Sequence, residues 1–195
     1  MNELSESRVD ILRAWLGKNS THHPFAGPDH IARVVALSTD IGASEGANSE
    51  IIWAAALLHD IGVPICAGNH YEIGALLARG VLAEAGYEPR EIEAICHAIE
   101  AHSRYGGPEP ATIEAKCLFD ADAIDYVGVV GLIRGIGRAA SRGEYFGDVA
   151  QCVSIGRSLA DSVRGICYTE RGKALMEERI RNLDAAMAIL RAELQ

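Results

Sequence analysis

Eight consecutive apolar residues, Ile51-Ile52-Trp53-Ala54-Ala55-Ala56-Leu57-Leu58, run directly into His59-Asp60. A helix that is apolar all round has no solvent face and belongs at the centre of a packed domain. The run is far short of the roughly 20 residues that span a bilayer, so its burial has to be inside protein. Ser49 offers an N-cap for a helix over residues 50–60, and Gly62 and Pro64 stop it. A histidine and a carboxylate at the end of such a helix are costly to bury unless they are paired or bound to a cation. His59-Asp60 is therefore either a buried ion pair in which Asp60 also caps, or part of a cation site.

Helical periodicity continues on both sides of this run. Leu4, Ile11, Leu12, Trp15 and Leu16 form one stripe, interrupted by Arg8, for an N-terminal helix over residues 5–18. A polar break follows, and Pro28 suits the first turn of a second helix that ends near Gly42 to Gly46. A fourth helix is expected from His70 to Ala85, and a fifth opened by Pro89 with Ile92, Ile95 and Ile99 on one face. After a Gly- and Pro-rich loop from Ser103 to Pro110, Thr112 caps a sixth that runs on to about Arg138. Thr169 to Leu194 carries the last apolar stripe. No period-2 segment and no strand–glycine-loop–helix unit appears, which removes Rossmann and P-loop readings. The expectation is an all-α, single-domain bundle of about seven or eight helices over residues 1–195. Its core is placed at about 29–138, with the N-terminal helix and C-terminal helices at 145–194 packing on it.

The formal net charge is −9, from 27 acidic and 18 basic residues. That argues against polymeric nucleic acid and anionic membrane as partners, since both require a broad basic face. A small phosphorylated ligand needs only a local cluster of cations. The five cysteines, Cys66, Cys96, Cys117, Cys152 and Cys167, form no CxxC pair. With no apolar leader at the N-terminus, this fits reduced thiols and a cytoplasmic location. Apolar helical surface leaves a homodimer as an expectation.

His59-Asp60 has potential partners elsewhere in the chain. His30 lies in the first turn of the second helix, and the sixth helix offers Asp120, Asp122 and Asp125. Two imidazoles and two carboxylates make a mixed N/O set suited to Mn, Fe, Co, Ni or Zn, with positions left open for water and substrate. His70 and His102 are further candidates. His97 reads as a surface residue, and His22 and His23 fall in a polar loop.

The order His30 … His59-Asp60 … Asp122 resembles the H…HD…D signature of the HD-domain metal-dependent phosphohydrolase superfamily, in particular its small stand-alone bacterial members. The contexts Asp29-His30-Ile31-Ala32-Arg33-Val34, Leu57-Leu58-His59-Asp60-Ile61-Gly62, Ile99-Glu100-Ala101-His102-Ser103 and Asp122-Ala123-Ile124-Asp125 carry the resemblance. So do the spacing of Gly128, Gly131 and Arg134 and the closing Tyr168-Thr169-Glu170-Arg171-Gly172. The resemblance implies an HD-like helical fold and one divalent metal (Mn, Fe, Co, Ni, Mg or Zn) held by His30, His59, Asp60 and Asp122. In some branches it also implies a second metal, for which His70 and His102 stand in comparable order. Phe119, Ala123 and Arg104-Tyr105 depart from the family's usual residues beside the expected pocket, so substrate is not read from the resemblance.

Metal-activated water attacking a phosphoryl group is the chemistry such a set supports, on a small phosphorylated metabolite such as a nucleotide, cleaved as a phosphomonoester or a pyrophosphate. Negative charge grows on the phosphoryl oxygens, so cations should ring the site. Arg33, Lys116, Arg104 and Arg134, with His102, are the phosphate-binding candidates. Asp60, Asp125 and Lys116 are the candidates for a catalytic role. Two other readings compete: a di-iron oxygenase using His70 and His102, and a non-catalytic metal- or nucleotide-binding sensor.

Overall fold

The computed structural model of the chain describes residues 6–19 and 26–195. Among these residues there are nine α-helices and no strand: α1 (Glu6–Asn19), α2 (Pro28–Glu45), α3 (Ser49–Leu58), α4 (His70–Glu84), α5 (Pro89–Ala101), α6 (Ile113–Asp125), α7 (Gly128–Ser141), α8 (Val149–Val163) and α9 (Glu170–Glu193). A single 3-10 turn, Ala67–Asn69, leads into α4. The all-α class expected from periodicity is the class found. Residue 5, at the start of the first expected helix, and His22 and His23 lie outside the described residues.

The apolar helix α3 is central, as its sequence requires. Ile52, Trp53, Ala54, Ala55, Ala56 and Leu58 are buried, and the helix packs against α2, α5 and α6. Its three alanines let those neighbours approach closely. The cap is Asn48 rather than Ser49: the Asn48 side chain accepts from the Glu50 and Ile51 amides at 3.0 and 3.3 Å. Ser49 opens the helix, and the helix ends at Leu58, so His59 and Asp60 sit in the turn beyond it.

The second buried helix is α6. Every residue from Cys117 to Asp125 is buried, three aspartates among them. The expected continuous helix to Arg138 is instead two helices, which raises the helix count. The break follows from two glycines. Gly128 takes φ +82°, a left-handed conformation that a side chain would strain. At Gly131 a Cβ would collide with the Tyr126 carbonyl, so α7 folds back tightly across the end of α6.

The interruption by Arg8 in the first stripe also has a structural explanation. Its guanidinium lies 4.3 Å from the Tyr87 ring centre and donates to Glu50 at 2.8 Å and to the Gly86 carbonyl at 2.7 Å. That ties α1 to the ends of α3 and α4. One buried apolar cluster runs from Leu12 in α1 to Met187 in α9.

Candidate metal centre

Three histidines stand just past the end of a helical turn, and each makes the same local bond. His59 Nδ1 lies 2.7 Å from the Ala56 carbonyl, His70 Nδ1 2.9 Å from the Ala67 carbonyl, and His102 Nδ1 2.6 Å from the Ile99 carbonyl. Carbonyl groups at helix ends lack intrahelical donors, and a histidine at the cap supplies one. A carbonyl oxygen only accepts, so Nδ1 carries the proton in all three rings. His30, in the first turn of α2, achieves the same state by a different route, with its Nδ1 2.8 Å from an Asp125 carboxylate oxygen. All four imidazoles therefore direct Nε2 inward.

The inward ends converge in two pairs. His30 and His59 bring their Nε2 atoms to 3.2 Å, and so do His70 and His102. Asp60 lies between the pairs. Its Oδ2 is 3.4 Å from His30 Nε2 and 3.5 Å from His59 Nε2, while its Oδ1 is 3.7 Å from both His70 Nε2 and His102 Nε2. Asp122 Oδ1 joins the first pair, 3.3 Å from His30 and 4.0 Å from His59. Paired lone pairs at 3.2 Å repel unless a cation or proton lies between them. Two ligand atoms each about 2.1 Å from one ion stand roughly 3.0–3.4 Å apart in octahedral or tetrahedral geometry. The donor set thus fits two neighbouring cation positions, one at His30–His59–Asp122 and one at His70–His102, with Asp60 offering an oxygen to each.

Burial makes this cluster sensitive to charge. His59 and His102 are fully enclosed, and Asp122 and Asp60 are nearly so. Burial pushes the His59 imidazole down to about 4, so it stays neutral and available as a ligand. Burial acts against charge on His30 too, but hydrogen bonds to Asp122, Asp125 and Asp60 outweigh it and lift that group to about 10, so its Nε2 carries a proton that a bound cation would displace. For Asp60 burial would raise the pKa, yet the surrounding histidines hold it well below the usual carboxylate range. The cluster thus keeps its carboxylates ionised and retains positive charge.

Two glycines bring the second histidine pair to the first. A Cβ on Gly62 would strike the His70 carbonyl and come within 2.7 Å of the Gly74 amide, and a Cβ on Gly74 would lie 3.2 Å from the His59 carbonyl. Only bare backbone lets the start of α4 lie against the His59-Asp60 turn.

The other sequence candidates separate into distinct positions. Asp125 lies behind His30 rather than in the cleft. It accepts from Arg33 Nε at 2.6 Å, from Arg33 Nη2 at 3.1 Å and from Arg134, besides His30. It is a positioning residue, and Arg33 and Arg134 direct their guanidinium groups to it. Lys116 is six residues before Asp122, which on a helix is about 9 Å along the axis and roughly 120° round, and none of the cluster's hydrogen bonds or ion pairs involves it. Asp120 is wholly buried, but it faces α9 and accepts from the Tyr168 and Thr169 amides at 2.8 Å and from Thr169 Oγ1 at 2.6 Å. Asp122, two residues on, is the one that faces the histidines. His97 Nε2 accepts from the Ala111 amide at 3.0 Å, a loop-tethering role.

Above the cluster lies a cleft of about 350 Å³, bordered by Asp60, His70, Tyr105, Tyr126, Arg138 and Arg142. Arg138 and Arg142 were not singled out from the sequence. Their signal is the four-residue spacing of Arg134, Arg138 and Arg142, one row along α7 to its C-cap.

This all-α bundle gathers four histidines and two aspartates into a cluster that could hold a divalent metal. The HD domain family model matches residues 29–127, and the chain belongs to that family. The uncharacterized protein YpgQ of Bacillus subtilis (strain 168) is 27% identical over 186 residues, covering 92% of this chain and 89% of that one. A crystal structure of B. subtilis YpgQ superposes with a TM-score of 0.76 at 25% identity over 95% of both chains. A second YpgQ structure, in complex with ADP, superposes with a TM-score of 0.72 at 24% identity over 95% and 94% of the two chains. Ribonuclease Y of Chloroflexus aurantiacus is 40% identical over 98 residues, 49% of this chain but 17% of that protein. No helix among the described residues is long and apolar enough to cross a membrane.

Proposed function

We propose that the chain is a metal-dependent phosphohydrolase acting on a small phosphorylated metabolite, with a nucleotide as the substrate class to test first. The observation that carries this reading is the convergence of four Nε2 atoms and two ionised carboxylates beneath an arginine-bordered cleft. A divalent cation bound there supplies an activated water and polarises a phosphoryl oxygen. Asp60 and Asp122 set the charge of the site, and the Nδ1 bonds of the four histidines fix the ring orientations. Arg138 and Arg142 border the open side, where charge on the phosphoryl oxygens would develop. Tyr105, 69% exposed at the rim, offers an aromatic face to a base. The complex of the relative YpgQ with ADP supports the nucleotide reading.

A screen of nucleoside mono-, di- and triphosphates with Mn, Co, Ni and Mg, following phosphate or pyrophosphate release, tests the proposal. Metal-dependent release that is lost in Asp60→Ala supports it, and full release by metal-stripped Asp60→Ala overturns it. The His70–His102 pair specifically favours one second reading, a di-iron oxygenase. Iron content, an iron optical band and O₂ consumption would mark that outcome. Ligand-induced thermal shifts without product would mark a non-catalytic sensor.

A further inference from the structure

We infer that a second oxyanion subsite adjoins the metal cleft, formed by Arg104, Arg134 and Arg138 around a cavity of about 140 Å³. The site itself stands on geometry. Its assignment to the substrate's second anionic group rests on the phosphohydrolase reading.

Tyr105, Tyr126 and Arg138 border both this cavity and the cleft over Asp60, so the two spaces share a wall. No carboxylate side chain lines the cavity, although the chain as a whole carries a net charge of −9. Asp125 takes the charge of Arg134. Arg104 is held differently. Its guanidinium lies between two rings, 4.6 Å from the centre of Tyr105 and 4.3 Å from that of Tyr126. Its Nη1 donates to Ser162 Oγ at 3.1 Å, and its Nη2 donates to the Tyr105 hydroxyl. Its Nε is buried with no acceptor. Stacked on two rings and bonded to Ser162, the guanidinium is held in place, and no carboxylate among the described residues pairs with its charge.

The space is several times the roughly 30 Å³ that one water occupies, enough for a tetrahedral oxyanion or a carboxylate. Guanidinium groups held in fixed planes are matched to such groups. The predicted substrate therefore carries two anionic groups, one reacting over Asp60 and one held among the arginines.

Calorimetric titration of the Mn-loaded full chain with inorganic phosphate tests this. Two phosphates per chain are expected for the wild type. Arg104→Gln and Arg104→Ala should each weaken one of them tenfold or more while the other persists. Chain saturated with ADP should take no phosphate at the arginine site. One phosphate per wild-type chain, or two that neither variant weakens, overturns the subsite. Phosphate still binding there beside ADP overturns its assignment to the substrate. Failure of the phosphohydrolase reading looks different: two phosphates bind, and no nucleotide is turned over.

Discussion

Gly62→Ala isolates the contact that brings the second histidine pair to the first. The new Cβ would strike the His70 carbonyl and lie 2.7 Å from the Gly74 amide and 3.0 Å from the His70 carbonyl carbon. All three are backbone atoms, so no rotamer change relieves the contact and α4 has to shift. Overpacking of this kind costs about 1–3 kcal/mol. For a chain of this length each kcal/mol lowers Tm by about 2–4 °C, so a drop of roughly 2–12 °C is expected. The functional effect should be sharper than the loss of stability. A retreat of His70 by around 1 Å exceeds the ~0.2 Å tolerance of a metal–ligand distance. Metal content should therefore fall from about two ions per chain towards one, because the His30–His59–Asp122 position does not depend on α4. Gly68→Ala is the matched control. It lies in the same connection, has no positive φ, and its Cβ would meet nothing within 4 Å, so an effect within about 0.5 kcal/mol is expected. Differential scanning calorimetry with elemental analysis reads both quantities. Gly62→Ala with unchanged Tm and two retained ions would refute the reasoning.

Asp125→Asn weakens the orientation of His30 and leaves two arginines short of a counter-charge, so metal affinity should fall about 10–100-fold, measured by competition with a chelating dye. Asp120→Ala removes the acceptor for two amides and the Thr169 hydroxyl at the start of α9. It should cost about 2–4 kcal/mol in urea unfolding, with metal content unchanged. Lys116→Ala, at a side chain away from the cluster, should leave kcat/KM within about threefold in a steady-state assay. Stripping the metal by dialysis against a chelator should lower Tm reversibly, since an ion at 100 times its Kd contributes about 2.7 kcal/mol.

The residues of the cluster were legible in the sequence, and their supports were not. His59-Asp60 was conspicuous because a charged pair closes a fully apolar helix, and His30 and Asp122 followed from their own helical contexts. The four Nδ1 bonds were harder to see. Each of three histidines bonds a carbonyl three residues back, a pattern that requires knowing where each helix ends. The Asp125 hub was hidden for another reason. Arg33 sits on the same face as His30, which reads equally well as a phosphate ligand or as an ion-pair partner, and tertiary packing decides between them. The helix break at Tyr126–Val127 depended on Gly128 and Gly131 meeting α6 and α9, a long-range requirement with no trace in local periodicity. Arg138 and Arg142 were visible as a spaced row, but nothing local said which face of α7 met the cleft.

The central claim is that the cluster beneath the cleft performs metal-dependent phosphoryl hydrolysis through Asp60. Its most direct test is product release from a nucleotide panel by Mn-loaded wild type and by metal-stripped Asp60→Ala, with elemental analysis of both samples. The account predicts release by the loaded wild type, loss on chelation, and neither bound metal nor release in the variant. Undiminished release by the metal-free variant would contradict it.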